Sequence, residues 1–200
     1  MSALTVEQVL GSGLDWEESV RTWEETDGPE GGKVEIIEGF VTVSPAPANH
    51  HNDIVDSVQR RIYSVVPDDW GVYGTQSVAV PTRRGLYVPD LVVIPKSVVQ
   101  GEAGSYLPAA AAELVVEVTS PSNAGRDRTV KAAGYAQAGI PYYLLIDAWA
   151  PDNPMITLYG EPKGGVYQAL QTVKSGEPVH LPAPFDVDIE TASFPVERRE

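Results

Sequence analysis

Two hydrophobic periodicities alternate along the chain. Residues 48–66, ANHHNDIVDSVQRRIYSVV, place Ile54, Val55, Val58, Ile62 and Val65 at helical spacing, and Pro67 closes the run. Residues 33–45, KVEIIEGFVTVSP, alternate instead and are rich in Val and Ile. Gly39 in mid-run predicts two strands across a tight turn, or one bent strand. YGTQSVAVP and LYVPDLVVIP read as successive strands, and AELVVEVTS and PYYLLID as buried core strands. Residues 126–138, RDRTVKAAGYAQA, read as a helix that Gly139 and Pro141 end. MITLYG and GVYQALQT predict a hairpin, and the Pro-rich stretch 177–194 one or two short strands. Residues 96–111 read as a loop ending in an alanine run. The pattern predicts an α/β domain over 33–200, with helices on a mixed central sheet and additional β-hairpins. An acidic lead over 1–32, with a short helix and a Gly-rich turn, precedes it.

Composition narrows the function classes. With 42% hydrophobic and 21% charged residues, the chain is ordinary globular material, and 200 residues suffice for one sizeable core. No apolar run approaches the ~20 residues of a membrane span. The first residues lack both the basic start and the apolar stretch of a secretory signal, so a cytoplasmic protein is expected. The absence of cysteine removes disulfides, thiol catalysis and sulfur-ligated zinc together. A net charge of −14 argues against coating nucleic acid by bulk electrostatics. It suits a site that gathers a hard divalent cation through oxygen ligands. Neither the nucleophile elbow Gly-x-Ser-x-Gly nor a Gly-rich nucleotide fingerprint is present.

Four pieces carry candidate chemistry: Val-Pro-Asp at 88–90, Glu117 inside an apolar strand, Lys131 one helical turn after Asp127, and Glu35 in VEIIEG. Alternation places Asp90 with Val92 on one face, and Glu117 with Val115 on one face. Carboxylates on neighbouring strands converge only with a cation or proton between them. Asp127, Lys131 and Tyr135 follow at i, i+4 and i+8, roughly one stripe. Each piece also has a plain structural reading. An Asp after Pro is commonly a turn residue, a strand Glu is commonly ion-paired, and an i, i+4 pair commonly sits in solvent. His50 and His51 read as helix capping or exposed loop residues, with His51 a candidate phosphate contact. Arg126 and Arg128 flank the candidate site and are candidate phosphate contacts, or solvated loop charges. His180 reads as structural, having no evident triad partner, and the four tryptophans as core or interface residues.

Together the segments VEIIEG, SPAPANHH, VPDLVVIP, LVVEVTSPS and RDRTVKAAGYAQAGIPYYLLID resemble the bacterial Uma-two family, within the PD-(D/E)xK nuclease superfamily. The likeness runs from about residue 33 to 160. It implies a restriction-endonuclease-like fold, with a mixed four- or five-stranded sheet flanked by helices and the site on one sheet edge. It also implies a Mg²⁺-dependent (or Mn²⁺-dependent) endonuclease acting on DNA. Asp90 and Glu117 match the metal-binding acids, with the Val118 carbonyl as a further ligand. Glu35 matches an early supporting acid. The lysine that usually follows two residues after the second acid is here Thr119, and Lys131 takes its place from the helix. Tyr142 and Tyr143-Leu144 depart from the family pattern at positions that read as packing. A symmetric homodimer is expected, since C₂ dimers are common. The alternative is a catalytically inactive module of the same fold that binds nucleic acid or a protein partner, which the acidic charge favours.

Overall fold

In the computed structural model, residues 15–150 and 153–195 are described. The helix expected in the acidic lead is α1 (Trp16–Glu24), capped by the Asp15 carboxylate, which accepts from the Glu18 N–H at 2.9 Å. The alternating run at 33–45 folds as a hairpin of β1 (Lys33–Ile37) and β2 (Phe40–Ser44). Glu38 and Gly39 join them with φ of 53° and 89°. Two positive φ values in a two-residue loop match the right-handed twist of the flanking strands. α2 (Asn49–Tyr63) follows, then β3 (Trp70–Tyr73), β4 (Val78–Val80), β5 (Gly85–Tyr87) and β6 (Leu91–Pro95). The segment expected as a loop over 96–111 instead contains α3 (Lys96–Gly101) and a two-residue strand, β7 (Leu107–Pro108). Neither is long enough to show a period.

β8 (Leu114–Val118) leads into one helical run of three pieces. These are α4 (Ala124–Arg126), a π turn at Asp127–Lys131, and α5 (Ala132–Ala138). Gly139, at φ 78°, ends the run in the left-handed conformation. β9 (Tyr142–Asp147) then pairs parallel with β8. A hairpin of β10 (Met155–Lys163) and β11 (Val166–Lys174) and a small ribbon of β12 (Val179–Leu181) and β13 (Val187–Ile189) complete the chain.

The strands form a six-stranded sheet, β11-β10-β9-β8-β6-β3, and a five-stranded sheet, β2-β1-β5-β4-β7. The central sheet is therefore wider than the four or five strands expected, and a second sheet accompanies it. Only β8–β9 is parallel in the larger sheet. A parallel pair needs a crossover, and this one lays α4–α5 over the sheet. Alternation in β6 and β8 splits the core into two layers. Leu91, Val93, Leu114 and Val116 pack under α2 and the β12–β13 ribbon. Val92, Ile94, Val115 and Leu145 face Tyr135 of α5 and Val78, Val80 and Tyr87 of the second sheet. Burial on both faces accounts for the nearly continuous apolar text of these strands. α1 covers the outer side of the second sheet, where Trp16, Val20 and Trp23 meet Ile36, Val41 and Leu86.

Two glycines of the crossover helix are predicted to respond oppositely to alanine. At Gly134 a Cβ would approach the ring of the fully buried Tyr87 to 2.5 Å. Gly134→Ala should therefore destabilise by about 1–3 kcal/mol despite alanine's helix propensity. At Gly125 a Cβ meets nothing within 4 Å. Gly125→Ala should be neutral or stabilising by up to about 1 kcal/mol. Urea denaturation of both variants measures the difference, and equal effects would contradict the packing argument.

Candidate active site

The site grows out of the inner layer by simple alternation. On β1, Ile37 belongs to the core between the sheets, so Glu35 and Lys33 share its face. On β8, Val115 belongs to the same core, so Glu117 follows it. The β8–β9 crossover sets the helix over that face and brings Lys131 and Asp127 to Glu117. In a regular α-helix a four-residue step overshoots a full turn by about 40°. The wider π turn at Asp127–Lys131 offsets that drift, so Asp127, Lys131 and Tyr135 stay on one buried stripe. Asp90 lies in the bend between β5 and β6, anchored by the Val118 N–H at 2.7 Å. These acids sit at the ends of interior strands β6 and β8, so the expectation of a site on the sheet edge is corrected.

Lys131 is the hub. Its Nζ lies 2.8 Å from Glu35 Oε1, 3.1 Å from Glu117 Oε1 and 3.5 Å from Asp127 Oδ1. The Tyr135 hydroxyl also donates to Glu117 Oε1 at 2.7 Å, and the Val88 N–H to Glu35 Oε1 at 2.8 Å. A second ammonium, Lys33, reaches Asp90 Oδ1 at 2.6 Å and the Val88 carbonyl at 2.8 Å. His51 Nε2 lies 3.1 Å from Asp90 Oδ2. Glu117 Oε2 and both Asp127 carboxylate oxygens are buried without a hydrogen-bond partner among the described residues.

The electrostatics divide the acids into two kinds. Burial works against the Asp90 carboxylate, but Lys33 and His51 outweigh it and hold it well below the usual range. Burial pushes Glu117 up, and Lys131 and Lys33 do not fully offset it. Burial pushes Asp127 up further still, against the pull of Lys131. Burial also disfavours the Lys131 ammonium, yet Glu117, Glu35 and Asp127 together raise it well above an ordinary lysine. Four carboxylates face two ammoniums here, so two formal negative charges lack a lysine partner when all are ionised.

The structure thus brings Asp90, Glu117, Lys131 and Glu35 together, with Val118 beside them. It corrects the plain readings of the ion pair and of His51. Asp127 and Lys131 are buried rather than solvated, and His51 is buried against Asp90, while Ala48 occupies the helix cap. Arg128 is tied to β9. Its Nε and Nη2 bind Asp147 at 2.6 and 2.8 Å, and Nη2 binds the Trp149 carbonyl at 2.7 Å. Those bonds give it a structural role and leave its side chain partly exposed. Arg126 is half-buried and does not line the cleft described below. Thr119 donates to the same Asp147 at 3.0 Å, so the threonine in the lysine's usual place ties β8 to β9. His180 does have acidic neighbours, Asp188 at 2.8 Å and Asp186 at 3.6 Å, but in an exposed ribbon. The sequence reading missed Lys33, although its position two residues before Glu35 on the same strand face was a usable signal.

A cleft of about 370 Å³ opens over the site. Lys33, Glu35, His51, Asp90 and Lys131 line it together with Pro47, Pro121 and Trp149. No helix among the described residues is long and apolar enough to cross a membrane.

No curated protein matches the chain. The chain is similar to a crystal structure titled as a "putative nuclease belonging to DUF820" from Anabaena variabilis ATCC 29413. The TM-score is 0.68 at 19% identity, over 90% of this chain and 97% of that one, which establishes a shared fold. The family model Uma2, described as "Putative restriction endonuclease", matches residues 16–196, so α1 and the β12–β13 ribbon fall inside it. The mixed sheet flanked by helices and the match over most of the chain agree, and the protein belongs to the Uma2 family of restriction-endonuclease-like proteins.

Proposed function

We propose that the protein is a metal-dependent endonuclease that hydrolyses phosphodiester bonds in DNA. One observation carries the reading: Glu117 Oε2 is a buried carboxylate oxygen with no hydrogen-bond partner among the described residues, in a cluster where four carboxylates share two ammoniums. A buried carboxylate oxygen left unpaired is costly, so a cation or a proton there is favoured. The available donors are Asp90, Glu117 and the Val118 carbonyl, all oxygen, which suits Mg²⁺ or Mn²⁺. Among the described residues, no three Asp, Glu, His or Cys side chains form a ready-made metal cage. Mg²⁺ needs less, since it keeps several waters and uses one or two carboxylates with the substrate phosphate.

When bound, such an ion supplies Lewis-acid polarisation of the phosphate and an acidified water. The protein's own groups supply the positioning. His51 and the Val118 N–H fix the Asp90 carboxylate from one side. Lys131 and the Val88 N–H fix Glu35, while Lys131 and Tyr135 fix Glu117 through a single oxygen and leave the other available. Lys33 and Asp90 both line the cleft that would receive the phosphate. The second reading is an inactive module that binds nucleic acid or a protein partner. It is favoured by the net charge of −14 and by ammonium groups that already satisfy Asp90 Oδ1 and Glu117 Oε1.

Incubation of plasmid and single-stranded DNA with Mg²⁺, Mn²⁺ or EDTA tests the proposal. Wild type should cut only with metal, and Asp90→Ala and Glu117→Gln should each lose about 10²-fold or more. Absence of cutting by wild type, with DNA retained in a gel shift, would favour the inactive module.

A second prediction concerns Lys131 as the fixing cation. Lys131→Met leaves Glu35, Glu117 and Asp127 buried around no charge, at a cost of roughly 3–5 kcal/mol near pH 7. Without the ammonium Glu117 and Asp127, already raised by burial, rise further above their unfolded values near ~4, so the folded variant binds extra protons as pH falls. The gap between variant and wild type should therefore narrow from pH 7.5 to pH 5. Urea denaturation at both pH values measures it, and a gap independent of pH would rule out this role. In wild type the raised Lys131 keeps its contribution below the unfolded lysine value and loses it only as pH climbs through the higher folded one.

A further inference from the structure

We infer that Lys33, and not the sequence-predicted Lys131, is the amine that meets the substrate phosphate, with Lys131 acting as a positioning residue. The inference rests on the phosphodiesterase reading of the site and names the group that contacts substrate within it.

The charge around each ammonium supports it first. Lys131 is enclosed by three carboxylates, Glu35, Glu117 and Asp127, within 2.8–3.5 Å, so its charge is shared among acids of the protein. A lysine ammonium has three N–H donors. Lys33 has two partners among the described residues, Asp90 Oδ1 and the Val88 carbonyl, which leaves one N–H unused. Position supports it next. The Lys131 side chain is 3% exposed and closed in by its carboxylates, whereas that of Lys33 is 15% exposed.

The surrounding surface supports it as well. A second cleft, of about 480 Å³, is also lined by Lys33. It is lined in part by the hydroxyl residues Thr26, Thr75, Ser77 and Ser105, with Glu24 as its charged residue besides Lys33. Lys33 is the one residue common to the linings of this cleft and of the cleft over Asp90. A polynucleotide that occupies both clefts must pass its ammonium. Lys33 then donates its third N–H to a non-bridging phosphate oxygen beside Asp90. That fixed positive charge stabilises the negative charge that builds on the phosphate oxygens during attack. Strand β1 thereby contributes the substrate-facing cation and, two residues on, Glu35.

Two measurements test the inference. The first follows the side-chain ¹⁵N signals of Lys33 and Lys131 while the dinucleotide pTpT is added in Ca²⁺. The Lys33 signal should move and the Lys131 signal should stay. The second compares cleavage of a single-stranded oligodeoxynucleotide in Mn²⁺ by wild type, Lys33→Met and Lys33→Arg, with folding checked by circular dichroism. Lys33→Met should lower kcat by about 10²-fold with a smaller change in KM, and Lys33→Arg should recover part of it. A Lys33 signal indifferent to pTpT, or a Lys131 signal that moves in its place, overturns the inference. Unaltered cleavage by a folded Lys33→Met also overturns it while leaving the nuclease reading intact. A Lys33 signal that responds to pTpT in a protein that cuts no DNA with any metal supports the contact and sinks the nuclease reading instead.

Discussion

One buried ammonium determines how the rest of this site is built. Lys131 sits at 3% side-chain exposure among Glu35, Glu117 and Asp127, which come from β1, β8 and the crossover helix. Three carboxylates removed from water repel one another strongly, and each alone would take up a proton. A single cation at 2.8–3.5 Å from all three makes their assembly tolerable and locks three separate elements to one point. The attachment is specific as well as electrostatic. Tyr135 fills the remaining approach to Glu117 Oε1, and its own ring packs edge-on against Tyr87 from the second sheet.

The acidic cluster continues the core rather than being appended to it. The series Ile37, Glu35, Lys33 on β1 and Val115, Glu117 on β8 run along the same faces that build the inner apolar layer. At one end of the strands the layer changes from aliphatic to charged without a change in backbone geometry. The outer layer under α2 remains apolar on the other face of the same strands, through Leu114, Val116 and Val118. A two-residue period therefore explains both why the sheet is stable and where its chemistry lies. It also explains why the second sheet matters to the site, since that sheet contributes Lys33 and Glu35.

That period is what made much of the site legible. Glu35 stands in alternating text, Asp90 and Glu117 interrupt nearly continuous apolar strand text, and Lys131 lies in helical text, so each element could be placed from local pattern, while the family resemblance supplied the roles. Lys33 was equally placed but carries a residue type that usually marks a solvated strand end, and its pairing with Asp90 spans 57 residues. The pairing of Arg128 with Asp147 was hidden for the complementary reason. Asp147 is reached only through the parallel pairing of β8 and β9, which brings the end of β9 to the crossover helix. Among the fold elements, the long strands and α2 were readable. The β1–β2 hairpin and the segments that hold β4 and β5 also read as strands, but their assembly with the two-residue β7 into a second sheet was not readable, because the pairing is non-local and strands of two or three residues express no period.

The position of Thr119 draws these points together. A lysine there would lie on the same face of β8 as Glu117 and compete with Lys131 for it. Threonine instead bonds Asp147, which also binds Arg128 and the Trp149 N–H. The result is a neutral brace between β8, β9 and the helix, one position beyond the acid cluster. With that place given to bracing, positive charge enters the site from two other directions, the helix and β1. The helix supplies an ammonium enclosed by carboxylates, and β1 supplies one at the boundary between two clefts. Separating the enclosed ammonium from the one at the cleft boundary lets the carboxylates be held together by Lys131 while Lys33 keeps part of its side chain exposed.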